Sequence, residues 1–293
     1  MLNFTDTHCH LDDKSFSATL PLLLEKCEQK NIKRIIVPST SPQNFRDVLA
    51  LKNLNTNKLA LFPCLGIHPW YLNDLNDEHL AQLENTVSKE RKNIIAIGET
   101  GLDGVISKNA SLNNDNFASD ASKINMIKQQ HFFDFQLGLA KQHQLPVIIH
   151  HRQSHQLIIP MLKRYQLPCS GVIHGFSGSY QQAVDYINLG YKIGVGGTIT
   201  YPRANKTINA IKRLPLSALV LETDAPSMPL NIDYCLHQTD ETTTKITDVN
   251  RYRNSPLNVK QVFKALVEHR QESACDIAEQ LEKNVNDIFF SHI

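Results

Sequence analysis

The sequence has few of the features that mark disulfide-rich, membrane or secreted proteins. Its six cysteines are scattered over 293 residues without a CxxC pair, so neither a disulfide framework nor a zinc knuckle is expected. No apolar run is long enough to span a bilayer, and the first twenty residues, which contain Asp6, Asp12 and Asp13, lack a signal-peptide core. We therefore expect a cytoplasmic protein that has no membrane partner.

Charge of one sign is not in excess either. The 30 lysines and arginines nearly balance the 29 aspartates and glutamates, which leaves a net charge of +1. This balance provides no long-range field that would hold a polyanion along an extended surface. Any contact with nucleic acid is therefore expected to be local.

Two catalytic fingerprints are missing as well. The chain contains no GxSxG elbow and no P-loop, and the glycine-rich "GVGGT" lacks the spacing of a dinucleotide site. A serine hydrolase triad is therefore not expected.

Short apolar segments alternate with longer helical patterns along the chain. Strands are predicted near residues 3–8, 33–38, 60–66, 94–99, 146–150, 171–174, 191–195 and 218–223. The clearest helical patterns lie at 15–30, 77–92, 125–143, 179–189 and 257–270, with a final helix near 273–286. This alternation predicts an α/β protein with a parallel sheet, and eight units favour a closed (β/α)8 TIM barrel over an open sheet. We expect one domain over residues 1–293, with an additional C-terminal helix.

Two polar segments interrupt this alternation, residues 104–124 and 231–254. Both are weakly periodic, so flexible surface loops are favoured over substrate lids. Because each follows a predicted strand, both are expected on the catalytic face of the barrel.

The chain begins with a possible chelating pair, His8 and His10 in "DTHCHLD". Side chains alternate along a strand, so both imidazoles project to one side and could bind the same ion. Alone, this spacing is a weak signal, because polar histidines of this kind are usually solvated or satisfied by hydrogen bonds.

Four other apolar strands also end in ligand-type residues. They end in Glu99, in His150 followed by His151, in His174 and in Asp224. The carboxyl ends of barrel strands converge on one face, so these residues become neighbours of the histidine pair. Imidazole nitrogen and carboxylate oxygen together suit zinc or manganese.

Six ligands exceed what one tetrahedral ion needs, so the pattern predicts two divalent ions bridged by Glu99. Such a pair can activate a shared hydroxide and stabilise charge on a phosphoryl or carbonyl oxygen, with Asp224 accepting the proton. Asp6 and Glu222 could orient imidazoles or could be ordinary polar residues of the barrel interior. The predicted ligands are His8, His10, Glu99, His150, His174 and Asp224.

The chain resembles the TatD family of metal-dependent deoxyribonucleases, a branch of the amidohydrolase-like TIM barrels. The "ETDAPSMPL" segment is most similar to the YjjV subgroup of that family. The motifs that carry the resemblance run nearly end to end in the family's order: "DTHCHLD", "GIHPW", "IGETGLD", "LPVIIHHR", "VIHGFSGS", "LETDAP" and "LEKNVNDIF".

The resemblance assigns roles to the same residues. It implies that His8 and His10 bind the first metal, that His150 rather than His151 binds the second with His174, that Glu99 bridges and that Asp224 completes the site. It also implies substrate or phosphate contacts from His68 and Arg152, although a structural cap is an equal alternative for His68.

Three departures from the family pattern concern the rim of the barrel. The segments after "GLD" and after Leu230 are longer than expected, and the frequent "NEP" reads "NSP" at Asn254–Pro256. The six ligands are unaffected, so these differences bear on substrate selection.

The leading hypothesis is a monomeric phosphodiesterase that removes nucleotides from the 3′ end of single-stranded DNA, or RNA, with two ions of zinc, manganese or magnesium. The alternative is hydrolysis of a small amide, ester or lactone by the same site. A noncatalytic scaffold that keeps the metal for stability is a third hypothesis.

Overall fold

The computed structural model describes residues 2–106, 118–235 and 253–291, and parallel strands form its centre. Each strand overlaps a segment that the sequence predicts as a strand. They are β1 (Phe4–Asp6), β2 (Ile32–Pro38), β3 (Ala60–Cys64), β4 (Ile97–Asp103), β5 (Val147–Arg152), β6 (Gly171–His174), β7 (Lys192–Val195) and β8 (Leu219–Leu221).

Helices surround these strands and connect them. They are α1 (Leu20–Gln29), α2 (Phe45–Ala50), α3 (Asp77–Glu90), α4 (Ala118–His143), α5 (His155–Tyr165), α6 (Tyr180–Ile187), α7 (Asn205–Arg213), α8 (Ile232–Cys235), α9 (Val259–His269) and α10 (Ala274–Phe289).

The strands close into a barrel across two seams. Strands β1 to β3 form one hydrogen-bonded run and β4 to β8 form another. A parallel bridge between Leu65 and Ile97 joins the runs on one side, and a bridge between Cys9 and Ala225 joins them on the other. The closed (β/α)8 barrel that the sequence predicts is therefore confirmed, and all strand carboxyl ends face one side.

An apolar layer fills the barrel beneath those strand ends. Ile148 and Val172 lie two positions before His150 and His174, so alternation directs all four side chains into the barrel. The two apolar side chains belong to one buried cluster with Phe289 of α10. The last helix therefore covers the end of the barrel opposite the histidines, and it is the additional C-terminal helix that the sequence predicts.

Several boundaries differ from the prediction. Strand β1 ends at Asp6 instead of residue 8, so His8 and His10 lie in the segment that follows it. Strand β4 runs to Asp103 instead of ending at residue 99, because its last residues pair with Ile149–Arg152 of β5. Part of the predicted loop at 104–124 is helical, since α4 begins at Ala118, and residues 107–117 lie outside the described residues. In the second predicted loop, Ile232–Cys235 forms α8, and 236–252 lie outside the described residues.

The helices were searched for membrane spans over the described part of the chain. None of them is both long and apolar enough to cross a bilayer.

Candidate metal centre

The side chains predicted as metal ligands lie together where the strands end. All of them except the fully buried His8 line a cleft of about 490 Å³ at this end of the barrel. The set comes from the segment that follows β1, from β4, β5 and β6, and from the segment after β8. It consists of His8, His10, Glu99, His150, His174 and Asp224.

Glu99 stands between two groups of imidazoles. Its Oε2 atom lies 3.1 Å from Nε2 of His8 and 3.5 Å from Nε2 of His10. Its Oε1 atom lies 3.1 Å from Nδ1 of His150 and 3.2 Å from Nε2 of His68. Each oxygen therefore faces its own set of nitrogens, which is the arrangement that a bridging carboxylate needs.

Asp224 completes the first group. Its Oδ1 atom lies 3.6 Å from Nε2 of His8, 3.5 Å from Nε2 of His10 and 3.7 Å from Nε2 of His174. The backbone N–H of Asp224 donates to the carbonyl of His8 at 2.8 Å. This bond across the β8–β1 seam holds the carboxylate over the histidine pair.

A glycine allows β4 to bring its carboxylates close to β5. Gly101 has a φ of +135°, and a Cβ atom at this position would lie 2.2 Å from the carbonyl oxygen of His150. Any other residue would therefore push the strands apart. The close approach places Glu99 and Asp103 on either side of the His150 ring.

Two of the histidines contact a second carboxylate through their other nitrogen. Nδ1 of His174 lies 3.2 Å from Oε1 of Glu222, and Nε2 of His150 lies 3.0 Å from Oδ2 of Asp103. Burial alone would lower the pKa of His174, but Glu222 and Asp224 raise it to about 10. Carboxylates placed in this way fix the tautomer and the ring orientation of a metal-binding histidine.

Of the two roles considered for Asp6, its contacts favour that of a buried polar residue of the barrel interior. Its carboxylate accepts hydrogen bonds from the backbone N–H and the hydroxyl of Thr223 and from the backbone N–H of His8. Burial raises the pKa of Asp6 to about 8. Asp6 therefore holds together the backbones of β1 and of the segment after β8, and acts on the site through them.

Asp103 is a residue of the site that was not among the predicted ones. Its Oδ1 atom accepts from the backbone N–H groups of Val105 and Ile106, and its Oδ2 atom accepts from the indole of Trp70 at 2.7 Å and faces His150. The motif "GLD" contains a signal for this residue, because its carboxylate ends an apolar strand. This is the position that was predicted for Glu99. Asp103 was overlooked because β4 was expected to stop four residues earlier.

His68 lies beside Glu99 and also caps the turn that follows it. The backbone N–H of Trp70 donates to Nδ1 of His68 at 3.0 Å. Burial lowers the pKa of His68 to about 4, so the ring is neutral and its proton is on Nε2, the atom that faces Glu99. His68 therefore acts as a hydrogen-bond donor in this conformation, and the structural cap considered for it is present.

Arg152 lies at the rim of the same cleft. Its side chain is 51% exposed, and Nη1 lies 3.9 Å from Oδ2 of Asp103. The guanidinium is therefore held near the site and remains open to an incoming anion.

The two central carboxylates are ionised. Burial would raise the pKa of Glu99, but the imidazoles of His68 and His8 hold it well below its usual range. Burial also opposes ionisation of Asp224, yet His174 lowers its pKa. Burial lowers the pKa of His8, which favours a neutral ring. The cleft thus combines anionic oxygens with imidazole nitrogens.

This donor set fits divalent metal ions. Nitrogen and oxygen atoms lie within 4.8 Å of one another in three groups, each of which combines a carboxylate oxygen with two imidazole nitrogens, the ligand types that borderline divalent ions prefer. The groups are His8, His174 and Asp224; His8, His10 and Glu99; and His68, Glu99 and His150.

Comparison with known proteins agrees with this geometry. The family described as TatD related DNase matches residues 5–290. The metal-dependent hydrolase YjjV of Escherichia coli K12 is 42% identical over 98% of this chain and 97% of its own length. A metal-dependent hydrolase of Haemophilus influenzae is 39% identical over 98% of this chain and its full length.

Solved structures show the same fold. The crystal structure of Escherichia coli YjjV, a TatD homologue, covers 98% of this chain and 97% of its own with a TM-score of 0.81. A TatD family hydrolase from Entamoeba histolytica is 21% identical with a TM-score of 0.79 over 99% of this chain and 98% of its own. The latter supports the fold alone.

The barrel and the ligand cluster at its strand ends define a metal-dependent hydrolase. Within that class, the chain belongs to the TatD family.

Proposed function

We propose that this protein hydrolyses phosphodiester bonds and removes nucleotides from the 3′ end of single-stranded DNA or RNA, with two divalent ions in the cleft. The observation that carries the proposal is the position of Glu99, whose two oxygens face separate groups of imidazoles. The description of the matching family as related to DNases supports a nucleic acid substrate.

The ligand set divides into two metal sites around Glu99. His8 and His10 would hold one ion, and His150 and His174 the other, while Glu99 would bridge and Asp224 would complete the set. Zinc, manganese or magnesium ions bound there would supply Lewis-acid stabilisation of developing negative charge and lower the pKa of water.

The chain's own groups provide the rest of the chemistry. Asp224 is ionised and lies at the wall of the cleft, so its carboxylate can accept the proton of the attacking water. Arg152 can donate two parallel hydrogen bonds to a phosphate, and Nε2–H of His68 can turn from Glu99 to a phosphate oxygen. Glu222 and Asp103 keep the rings of His174 and His150 oriented.

The distribution of charge at the rim favours recognition of a chain end. Arg152 follows β5, whereas Asp12 and Asp13 line the cleft after β1, on the opposite side of an eight-stranded barrel. A nucleic acid strand that crossed the whole cleft would bring its phosphates close to these carboxylates, which would repel them. A terminal nucleotide can be held on the cationic side alone.

The direct test is digestion of a 5′-labelled single-stranded oligonucleotide with a free or a blocked 3′ end, in the presence of zinc, manganese or magnesium. A ladder that shortens only from the free 3′ end is expected. His150→Ala should reduce the rate on the order of 100-fold or more, whereas the exposed control Glu78→Gln should retain it. Equal rates for the wild type and His150→Ala would refute the assignment.

Hydrolysis of a small amide, ester or lactone is the second candidate. The cleft of about 490 Å³ is within the size range of small-molecule sites, and the same metal centre can attack a carbonyl carbon. Turnover of such substrates by a protein that leaves every oligonucleotide intact would favour this candidate.

A further inference from the structure

Two aromatic side chains are exposed at the rim of the cleft. Trp70 is 46% exposed and Tyr71 is 51% exposed, and both line the cleft beside the metal centre. Large exposed aromatic surface is costly in water and is characteristic of binding sites. A ligand that covers these rings is therefore expected.

Trp70 is held in a fixed orientation by the site itself. Its indole N–H donates to Oδ2 of Asp103 at 2.7 Å, and the side chain of Asp103 is fully buried. The same oxygen faces Nε2 of His150 at 3.0 Å. The plane of the indole is thereby tied to a proposed metal ligand.

The indole lies beside the imidazoles around Glu99. The ring centroid of Trp70 lies 5.1 Å from that of His68 and 5.8 Å from that of His150, both in edge-to-face geometry. A flat ligand on the open part of the indole would therefore lie directly beside the reacting centre. Arg152, whose guanidinium lies 3.9 Å from the same Asp103 oxygen, would lie near its charged group.

We propose that Trp70 is a stacking platform for the nucleobase of a terminal nucleotide whose phosphate lies in the metal centre. The inference rests on the proposed function and adds a base-recognition residue to it. Every nucleobase offers a flat π face, so the platform selects nucleotides over small esters without strong sequence preference. Asp103 is the positioning residue that keeps the indole in place.

Trp70 is the only tryptophan of the chain, so fluorescence excited selectively at tryptophan, without the tyrosines, reports on this residue alone. The ligands are short single-stranded oligonucleotides whose terminal linkages are phosphorothioates, which slows their hydrolysis. One has natural bases, and two have an abasic residue at the last or the penultimate position. We expect saturable quenching by the natural oligonucleotide and an affinity about 5-fold or more weaker for at least one abasic form.

Kinetics with variants provide an independent readout. Trp70→Leu should raise KM for oligonucleotides about 5- to 100-fold with a smaller change in kcat, and Trp70→Phe should recover most of the loss. The backbone N–H that caps His68 is retained in both variants. Leu54→Ala, which trims another exposed apolar side chain away from the cleft, should retain the wild-type KM.

The outcomes separate this inference from the proposed function. Equal affinities for natural and abasic oligonucleotides, or an unchanged KM in Trp70→Leu while hydrolysis proceeds, would overturn the platform and leave the phosphodiesterase intact. Base-dependent quenching in a protein that hydrolyses no oligonucleotide with any of the three metals would uphold the platform and overturn the phosphodiesterase. Absence of both responses would overturn both.

Discussion

Oε1 of Glu222 lies 3.2 Å from Nδ1 of His174 and also accepts a hydrogen bond from the backbone N–H of Gly175 at 2.6 Å. The Nε2 atom of His174 is thereby directed towards Asp224, 3.7 Å away. A buried carboxylate thus fixes which nitrogen of His174 faces the cleft.

Replacement of Glu222 should weaken metal binding without removing a ligand. Glu222→Gln keeps an acceptor for Nδ1–H and should cost about 10-fold in affinity, whereas Glu222→Leu should approach about 100-fold. Isothermal titration of the metal-free protein with Zn²⁺ or Mn²⁺ measures both values. Equal affinities in the wild type and Glu222→Leu would show that His174 does not depend on this contact.

Glu99→Gln should change the number of bound ions. The amide offers one neutral oxygen where the carboxylate offers two charged ones, so we expect the content to fall from two ions towards one and hydrolysis to be lost. Elemental analysis after gel filtration measures the stoichiometry, with circular dichroism to verify folding. Two ions per chain in Glu99→Gln would contradict the bridging role. Full hydrolytic activity in this variant would favour a noncatalytic metal site.

Neighbouring histidines should behave differently on substitution. His150 faces Glu99, while His151 packs between Phe176 and Tyr186 on the outer side of β5. His150→Ala should therefore lose metal affinity and activity. His151→Ala should retain the metal content and lose about 1–3 kcal/mol of stability from the cavity it leaves.

Removal of metal should lower the melting temperature. The ions would bind only the folded barrel, so a metal concentration of about 1,000 times Kd adds about 4 kcal/mol to the free energy of unfolding. We expect a chelator to lower Tm by several degrees in differential scanning fluorimetry and added Zn²⁺ or Mn²⁺ to restore it. The same Tm with and without chelator in wild type would argue against a metal centre.

Asn254 should be a strong determinant of stability. Its side-chain N–H₂ lies within hydrogen-bonding distance of the carbonyls of Thr223, Ser227 and Met228, so it holds the segment that carries Asp224. Asn254→Ala should cost about 1–3 kcal/mol in urea denaturation, and Asn254→Asp more, because it places a carboxylate against carbonyl oxygens. Both should also lower activity.

Ser255 provides the matched control for that prediction. Its hydroxyl accepts from the backbone N–H of Leu257 and caps the turn before α9. Ser255→Ala should cost about 1 kcal/mol and leave metal affinity unchanged. The difference from Asn254→Ala would measure what the bonds to the Asp224 segment contribute.

Much of the fold could be predicted because its signals are local. Each strand has three to seven residues and overlaps a short apolar run, and the alternation of these runs with helical patterns predicts the barrel. The predicted end of β4 was wrong because the apolar run stops before Glu99, whereas pairing with Ile149 and His150 keeps Thr100 and Gly101 in the sheet. Tertiary pairing, which no single segment encodes, decided the boundary.

Much of the candidate site could also be predicted from the sequence. The six proposed ligands follow from strand ends, and the barrel brings them together because those ends converge. The contacts of Asp103 with Trp70 and His150 could not be predicted, because they join side chains of β4, β5 and the turn after β3 that lie far apart in the sequence. For the same reason, the sequence did not indicate that Asp6 bonds to Thr223 instead of orienting an imidazole.

The seam between β1 and β8 has a consequence for how the protein matures. Cys9 and Ala225, which form the bridge across it, are separated by 216 positions in the chain, and the residues flanking them are His8, His10 and Asp224. The proposed metal site on that side can therefore form only after the first and last strands have met. We expect tight metal uptake during refolding to follow barrel closure, so that only fully folded molecules retain the metal. Stopped-flow measurements can compare metal uptake with far-ultraviolet circular dichroism. Uptake before the circular dichroism signal is complete would contradict this expectation.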